Sequence, residues 1–133
     1  MPSAQGTFEV HLEPQYANGA REAAIDRMLI SKRFHGDLEG TSSGQMLSAG
    51  TGQPGSSGAY VALERVEGTL HGRRGSFVLH HRGLMTRGEP QLTIAVVPDS
   101  ATSELSGLSG SMEISIVDGA HSYIFTYTLA EPG

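Results

Sequence analysis

Short runs of alternating apolar and polar residues recur along the chain, and glycines separate them. In residues 7–12, for example, Phe8, Val10 and Leu12 alternate with polar side chains. A period of two predicts a strand with one buried face. Strands of this length, repeated at intervals of about 8–12 residues, predict an antiparallel sandwich or barrel.

The pattern predicts eight strands, at residues 7–12, 27–35, 38–49, 59–70, 75–86, 91–97, 111–117 and 120–129. Eight antiparallel strands can close into a barrel whose lumen holds side chains or one small ligand. We therefore predict an all-β, eight-stranded antiparallel β-barrel, formed by a single domain over residues 1–133. Glycines weaken the third strand, where we expect a bulge or a bend. Residues 20–24 are long enough for one helical turn only, and residues 50–58 predict a surface loop.

The dipeptide Asp118-Gly119 is a strong signal for a two-residue turn, and it fixes how the last two strands pair. Ile114 then faces Tyr123, and alternation places one side of both strands in the interior. That side carries Met112, Ile114, Ile116, His121, Tyr123, Phe125, Tyr127 and Leu129. Two tyrosines and a histidine make this interior more polar than a plain core, and such groups need hydrogen-bond partners.

The central hairpin brings a carboxylate and an imidazole to one face. If Gly72 and Arg73 form its turn, Glu64 lies opposite His81. The inward side then holds Tyr60, Ala62, Glu64, Val66, Phe77, Leu79 and His81. A slip of the pairing by one residue would exchange His80 for His81.

Glu64 and His81 could share a proton inside the barrel, since burial raises a carboxyl pKa and a neighbouring imidazolium lowers it. Such a pair can protonate an epoxide or enone, or remove a proton next to a carbonyl. Tyr60, Tyr123 or Tyr127 could donate a hydrogen bond to a developing oxyanion. The alternative is a structural pair that only ties two strands together.

Composition bears on several classes of function. The absence of cysteine excludes disulfides and Cys-ligated zinc, and it fits a reducing cytoplasm. Nine Lys and Arg against 14 Asp and Glu give a net charge of −5, the opposite of a usual nucleic-acid binder. No long apolar run predicts a transmembrane helix, and the N-terminus lacks the pattern of a signal peptide. We predict a cytoplasmic location, with neither nucleic acid nor membrane as partner.

The six histidines do not form a convincing metal site. His80 and His81 are adjacent on a strand and point to opposite faces, so they cannot chelate one ion together. A zinc site needs three or four converging ligands. We predict no metal and no cofactor.

Spaced motifs cover most of the chain. They are Tyr60-x-x-x-Glu64-x-x-x-Gly68-x-Leu70-x-Gly72-Arg73-x-Gly75-Ser76-Phe77-x-Leu79-x-His81, Gly36-Asp37-Leu38-Glu39-Gly40, Val96-Val97-Pro98, Glu104-Leu105-x-Gly107-Leu108-x-Gly110-Ser111-Met112 and Asp118-Gly119-x-His121-x-Tyr123-x-Phe125-x-Tyr127. Together they resemble the bacterial domain of unknown function 3224 family. This resemblance implies a barrel similar to that of allene oxide cyclase, whose relatives steer ring closure of an apolar, unsaturated substrate without a cofactor. It transfers no catalytic residue, because the family has no assigned activity.

We therefore predict a barrel that binds a small hydrophobic metabolite and acts as a cofactor-free cyclase or isomerase on an apolar unsaturated substrate. The candidate catalytic residues are Glu64 and His81. The candidate ligand-binding residues are Tyr60, Phe77, Met112, Ile114, His121, Tyr123, Phe125 and Tyr127. The alternatives are a lipocalin-like carrier and a structural protein with a filled lumen. Apolar residues predicted on the outside suggest a homo-oligomer; they are Val61, Leu63, Val78 and Ile124.

Overall fold

Eight antiparallel strands close into one barrel in the computed structural model, which describes residues 2–15, 25–50 and 53–129. The strands are β1 (Ser3–Gln15), β2 (Ile25–Gly36), β3 (Leu38–Gly50), β4 (Gly58–Leu70), β5 (Arg73–Thr86), β6 (Glu89–Val96), β7 (Ser109–Val117) and β8 (Ala120–Thr128). Each strand pairs with its neighbours along the chain, and β1 pairs with β8. The predicted fold class is confirmed. The possible helical turn at residues 20–24 lies outside the described residues.

The last hairpin has the predicted register, with Ile114 opposite Tyr123 around the Asp118-Gly119 turn. Both turn residues have positive φ, 51° and 79°, as a tight hairpin turn of this kind requires. Ile116 lies on the predicted inward side by alternation, but it is 62% exposed and so does not belong to the interior. Ile116 lies near the tip of the hairpin, beyond the part of the barrel that side chains fill.

The central hairpin turns one residue earlier than predicted, at His71 and Gly72, and Leu70 pairs with Arg73. His71 and Gly72 both have positive φ, 45° and 81°, so they form the turn that suits a twisted hairpin. Glu64 therefore lies opposite Leu79, two residues from the predicted partner. A shift of two residues keeps every side chain on its face, and His81 points inward as predicted while His80 is exposed.

The expected bulge in β3 is absent, since β3 pairs with β4 in one unbroken register from Leu38 to Gly50. Gly44 instead provides space in the lumen. A Cβ built on Gly44 would lie 2.8 Å from the Cβ of Glu64. The glycine thus accommodates an inward side chain of the neighbouring strand.

One end of the barrel is filled, and we call it the closed end. It carries the turns at residues 36–37 and 71–72 and the connection at residues 97–108. Leu105 and Leu108 of this connection are buried, and Thr102 hydrogen-bonds through its N–H to the Ser76 carbonyl at 2.9 Å. The core packed there includes Phe34, Leu38, Val66, Leu70, Phe77, Leu79, Val96, Leu105, Leu108, Met112, Tyr123, Phe125 and Tyr127.

The opposite end, which we call the open end, leaves inward apolar side chains accessible. Leu12, Met85 and Leu92 are 44%, 42% and 43% exposed although alternation directs them into the barrel. No helix in the described part of the chain is long and apolar enough to cross a membrane.

The outer face of β2–β5 is also apolar. Leu47 and Val61 form a cross-strand pair, flanked by Arg27 and Arg82 in the same row. With Leu63 they line a depression of about 810 Å³ on the outside of the wall. Contiguous apolar surface of this kind often marks an interface, so a homo-oligomer remains a prediction.

Candidate functional site

A buried cluster of charged and polar side chains crosses the lumen between the two ends. Its members come from four adjacent strands: Lys32 from β2, Ser42 from β3, Glu64 from β4 and His81 from β5. They are 8%, 5%, 1% and 5% exposed. Alternation places all four on the inward face. Because charged groups are rarely buried unless paired, this cluster is the chemically distinctive part of the lumen.

Three donors converge on the Glu64 carboxylate. Lys32 Nζ and His81 Nε2 donate to Oε1 at 2.9 and 2.6 Å, and Ser42 Oγ donates to Oε2 at 2.6 Å. The Lys32 ammonium also lies 5.1 and 5.9 Å from the ring centroids of Phe8 and Phe34, within the range of cation–π attraction. All buried polar side-chain atoms of the described residues have a partner.

The contacts decide the protonation state of Glu64. Desolvation alone would raise its pKa, but the hydrogen bond from His81, the Lys32 charge and the hydrogen bond from Ser42 outweigh it and lower the pKa to about 2. Glu64 is therefore a carboxylate at all ordinary pH values. It accepts hydrogen bonds and has no proton to donate, so it orients His81 and does not act as an acid.

Tyr60 connects this cluster to the open end. Its hydroxyl lies 3.1 Å from His81 Nδ1. Nε2 donates to Glu64, and the direction of the bond to Tyr60 follows the state of Nδ1: a bare Nδ1 accepts from the Tyr60 hydroxyl, whereas a protonated Nδ1 donates to the Tyr60 oxygen and leaves the phenol O–H for another partner. Burial, and then the charge of Glu64, raise the pKa of Tyr60 to about 12, which keeps its phenol neutral.

The Tyr60 ring is held flat against the wall. Gly83 is its direct cross-strand partner, and a Cβ there would lie 2.4 Å from ring atom Cε1. The absence of a side chain at Gly83 thus makes the place for the ring. Tyr60 borders a cavity of about 650 Å³ at the open end. Its inward lining includes Met28, Met46, Tyr60, Met85 and Leu92.

Two cavities compete as the binding site. The outer depression on β2–β5 is larger, and Glu64 and His81 contribute to its border. However, the His81 and Glu64 side chains are only 4% and 0% exposed, so the chemistry of the cluster is not accessible from outside. The open-end cavity is in contact with the cluster through Tyr60, and we assign the site there.

The other candidate residues fall into two groups. Phe77, Met112, Phe125, Tyr123 and Tyr127 belong to the packed core of the closed end. Ile114 and His121 lie on β7 and β8 and are partly buried. The Tyr123 hydroxyl bonds the backbone of β3, and that of Tyr127 bonds His71. The structure thus brings together Tyr60, Glu64 and His81, but not the two other tyrosines.

Lys32 is the residue that sequence reasoning missed. Its position among Met28, Ile30 and Phe34 was visible as an interruption of an apolar face. A lysine in such a position requires a buried partner, and Glu64 is the inward carboxylate two strands away. Among the described residues, no group of three or more His, Asp or Glu side chains could hold a metal ion.

The lowered pKa of Glu64 makes stability depend on pH. Its pKa is about 2 in the folded protein against an ordinary value of 4.5. The unfolded chain therefore binds the proton first, and the stabilisation by Glu64 is complete above pH 5 and is lost as the pH falls towards 2. We expect the free energy of unfolding of wild type to fall by about 2 kcal/mol more than that of Glu64→Gln between pH 6 and pH 3, as measured by urea unfolding. Equal losses in both proteins would contradict the assignment.

Comparisons with known proteins agree with the fold and name no activity. A family model described as "Protein of unknown function (DUF3224)" matches residues 4–127. A crystal structure of a DUF3224 protein of unknown function from Shewanella oneidensis MR-1 is 46% identical, with a TM-score of 0.88, covering 100% of this chain and 99% of that one. The comparison with curated proteins found no match. Neither match names an allene oxide cyclase. Over almost its whole length, the chain belongs to the DUF3224 family.

Proposed function

We propose that the protein binds a small apolar molecule in the open half of its lumen and holds a polar atom of that molecule at Tyr60. The observation that carries this proposal is the cavity of about 650 Å³ whose wall includes Tyr60, the one side chain that joins it to the buried cluster among the residues described. Binding cavities typically measure about 300–1,000 Å³, with mostly apolar walls and few polar groups.

The ligand chemistry follows from the lining. Met28, Met46, Met85 and Leu92 offer flexible apolar contacts that adapt to an irregular hydrocarbon. When His81 Nδ1 donates to the Tyr60 oxygen, the neutral phenol has its one O–H available for a carbonyl, epoxide or hydroxyl oxygen of the ligand. The proposed ligand is therefore an apolar molecule with one such oxygen.

The cluster also supports proton transfer. When His81 is protonated on both ring nitrogens, Nδ1 can pass its proton to the Tyr60 oxygen while Tyr60 passes its own proton to a ligand oxygen. His81 and Tyr60 end neutral, and the positive charge moves to the ligand. A protonated ketone then loses its α proton to water and becomes a neutral enol, whereas a protonated epoxide opens as its C–O bond breaks, and His81 regains its proton from solvent. A cofactor-free isomerase or cyclase depends on such steps. Glu64 and Lys32 hold His81 in the orientation that the relay needs.

The binding proposal predicts that a charge in the cavity blocks an apolar probe. Met46→Glu places a carboxylate inside the lumen, and Gln45→Glu places the same charge on the adjacent, outward residue. We expect Met46→Glu to weaken binding of the neutral dye Nile red at least tenfold in a fluorescence titration, and Gln45→Glu to change it less than twofold.

Equal effects of the two variants would place the dye elsewhere, for example on the outer face. Absence of dye binding to wild type would favour a filled barrel without a ligand. Native mass spectrometry of the freshly purified protein, before and after denaturation, shows whether a small molecule accompanies it.

The relay predicts chemistry at a bound ketone. In D₂O, wild type should speed the exchange of protons next to the carbonyl of a cyclic enone, and Tyr60→Phe should lose that acceleration, as followed by NMR. Tyr60→Phe should also weaken enone binding about fivefold, the value of one hydrogen bond of about 1 kcal/mol, while binding of the matched alkene stays unchanged. Wild type that binds the enone without exchange would be a carrier of the lipocalin kind.

A further inference from the structure

The barrel is closed, but the hydrogen-bonded ladder between β6 and β7 is very short. β6 and β7 share a single cross-strand pair, Ala95 with Ser111, in the described structure. By contrast, β3 and β4 pair from end to end. If the β6–β7 register continued towards the open end, Thr93 would face Glu113. That pair is not formed, so the ladder between β6 and β7 ends at Ala95 and Ser111.

The directions of the backbone bonds explain the gap. In a two-residue hairpin, the residues that flank the turn form a hydrogen-bonded pair, and bonded positions then alternate. Around Asp118-Gly119, this points the amides of Ile114 and Ile116 away from β8 and towards β6. The Arg87-Gly88 turn is flanked by Thr86 and Glu89. The same alternation of bonded positions directs the backbone polar groups of residues 90 and 92 away from β5 and towards β7.

Pro90 occupies one of these positions, and proline has no N–H to donate. In the continued register it would face Ile116, and the Ile116 carbonyl would have no N–H to accept from, so one of the two hydrogen bonds of that pair cannot form. Proline is typically confined to unpaired edges of sheets for this reason. The sequence of β6 therefore disfavours closure of the wall at the open end.

The tip of the β7–β8 hairpin is unsupported on its other side as well. β8 pairs with β1 only as far as His121 opposite Phe8, although β1 continues to Gln15. Among the described pairs, residues 112–117 of β7 therefore pair only with β8, and Ala120 pairs only with Val117. Apolar side chains that point inward beside the gap are accessible: Leu92 is 43% exposed and Ile116 is 62% exposed.

We propose that ligands reach the lumen sideways, between β6 and β7, and that the hairpin tip at residues 113–120 is the part of the wall that moves. This inference rests on the proposed binding function. The border of the cavity at the open end mixes the polar residues Asp26, Gln53 and Ser56 with apolar ones such as Ala49 and Leu84. In the continued register, the inward residues along β6 and β7 are all apolar: Pro90, Leu92, Ile114 and Ile116. An apolar molecule that passes between these strands meets no polar side chain.

A disulfide across the gap tests the route. The chain has no cysteine, so in Thr93→Cys/Glu113→Cys only the introduced pair can form. Both positions are exposed, and in the continued register they form a non-hydrogen-bonded pair, whose Cα atoms lie about 4.5 Å apart when the strands meet. Val61→Cys/Arg82→Cys is the matched control, a pair of the same type in the fully paired β4–β5 wall.

We expect oxidation of Thr93→Cys/Glu113→Cys to slow the association of Nile red at least tenfold in stopped-flow fluorescence, with recovery after reduction. The control should change less than twofold. Equal rates for the oxidised and reduced forms of the test pair would show that the dye uses another route and would overturn the proposal.

Amide hydrogen exchange tests the moving wall without any ligand. The amides of Ile114 and Ile116 should exchange at least 100-fold faster than those of Glu113 and Ser115, which bond β8. Comparable protection of all four would show a closed wall and would overturn the proposal even if the dye binds. If no dye binds but Ile114 and Ile116 exchange fast, the binding function fails while the open wall stands.

Discussion

The ion pair between Lys32 and Glu64 is the constraint on which the arrangement of the lumen depends. Burying either charge alone would cost several kcal/mol, and the pair is retained because Ser42 and His81 complete the hydrogen bonds of the carboxylate. Removal of one partner leaves the other charge uncompensated in an apolar barrel. The four side chains therefore have to be understood as one unit.

This unit separates two parts of the lumen that differ in character. On one side lies a core of stacked and tilted rings, with Phe77 and Phe125 nearly parallel at 5.7 Å. On the other side, inward apolar residues such as Met85 remain accessible. The barrel is thus filled by side chains at one end and has an accessible cavity at the other. Hydrogen bonds between Glu64 and His81 and between His81 and Tyr60 connect the buried charge to the accessible end.

The fold followed from the sequence because period-two alternation and turn chemistry are local signals. Asp118-Gly119 fixed a register correctly, since both residues adopt positive φ. The predicted register of the central hairpin was wrong by two residues. The turn includes His71 in a left-handed conformation, and histidine is not a residue type that signals a turn. Alternation still placed Glu64 and His81 on the same inward face, and their side chains meet diagonally at 2.6 Å.

The site was harder to predict because it depends on contacts between distant strands. Lys32 and Glu64 belong to strands separated by β3, where Gly44 leaves room beside Glu64. No local pattern specifies that arrangement. The sequence predicts the aromatic residues of β8 as ligand-binding residues, but tyrosine and phenylalanine are equally common in a packed core. In the structure they form one core with Leu105 of the closed-end connection. That connection is far away in sequence, so the local pattern does not reveal it.

The most direct test of this account is the titration of the Glu64 side chain, followed through its ¹³Cδ chemical shift by NMR in the folded protein. The account predicts that Glu64 remains ionised well below pH 4 and titrates near its folded pKa of about 2, or only as the protein unfolds. A midpoint near the ordinary value of 4.5, with the fold intact, would show that Lys32, Ser42 and His81 do not hold a buried carboxylate, and the central claim would fall.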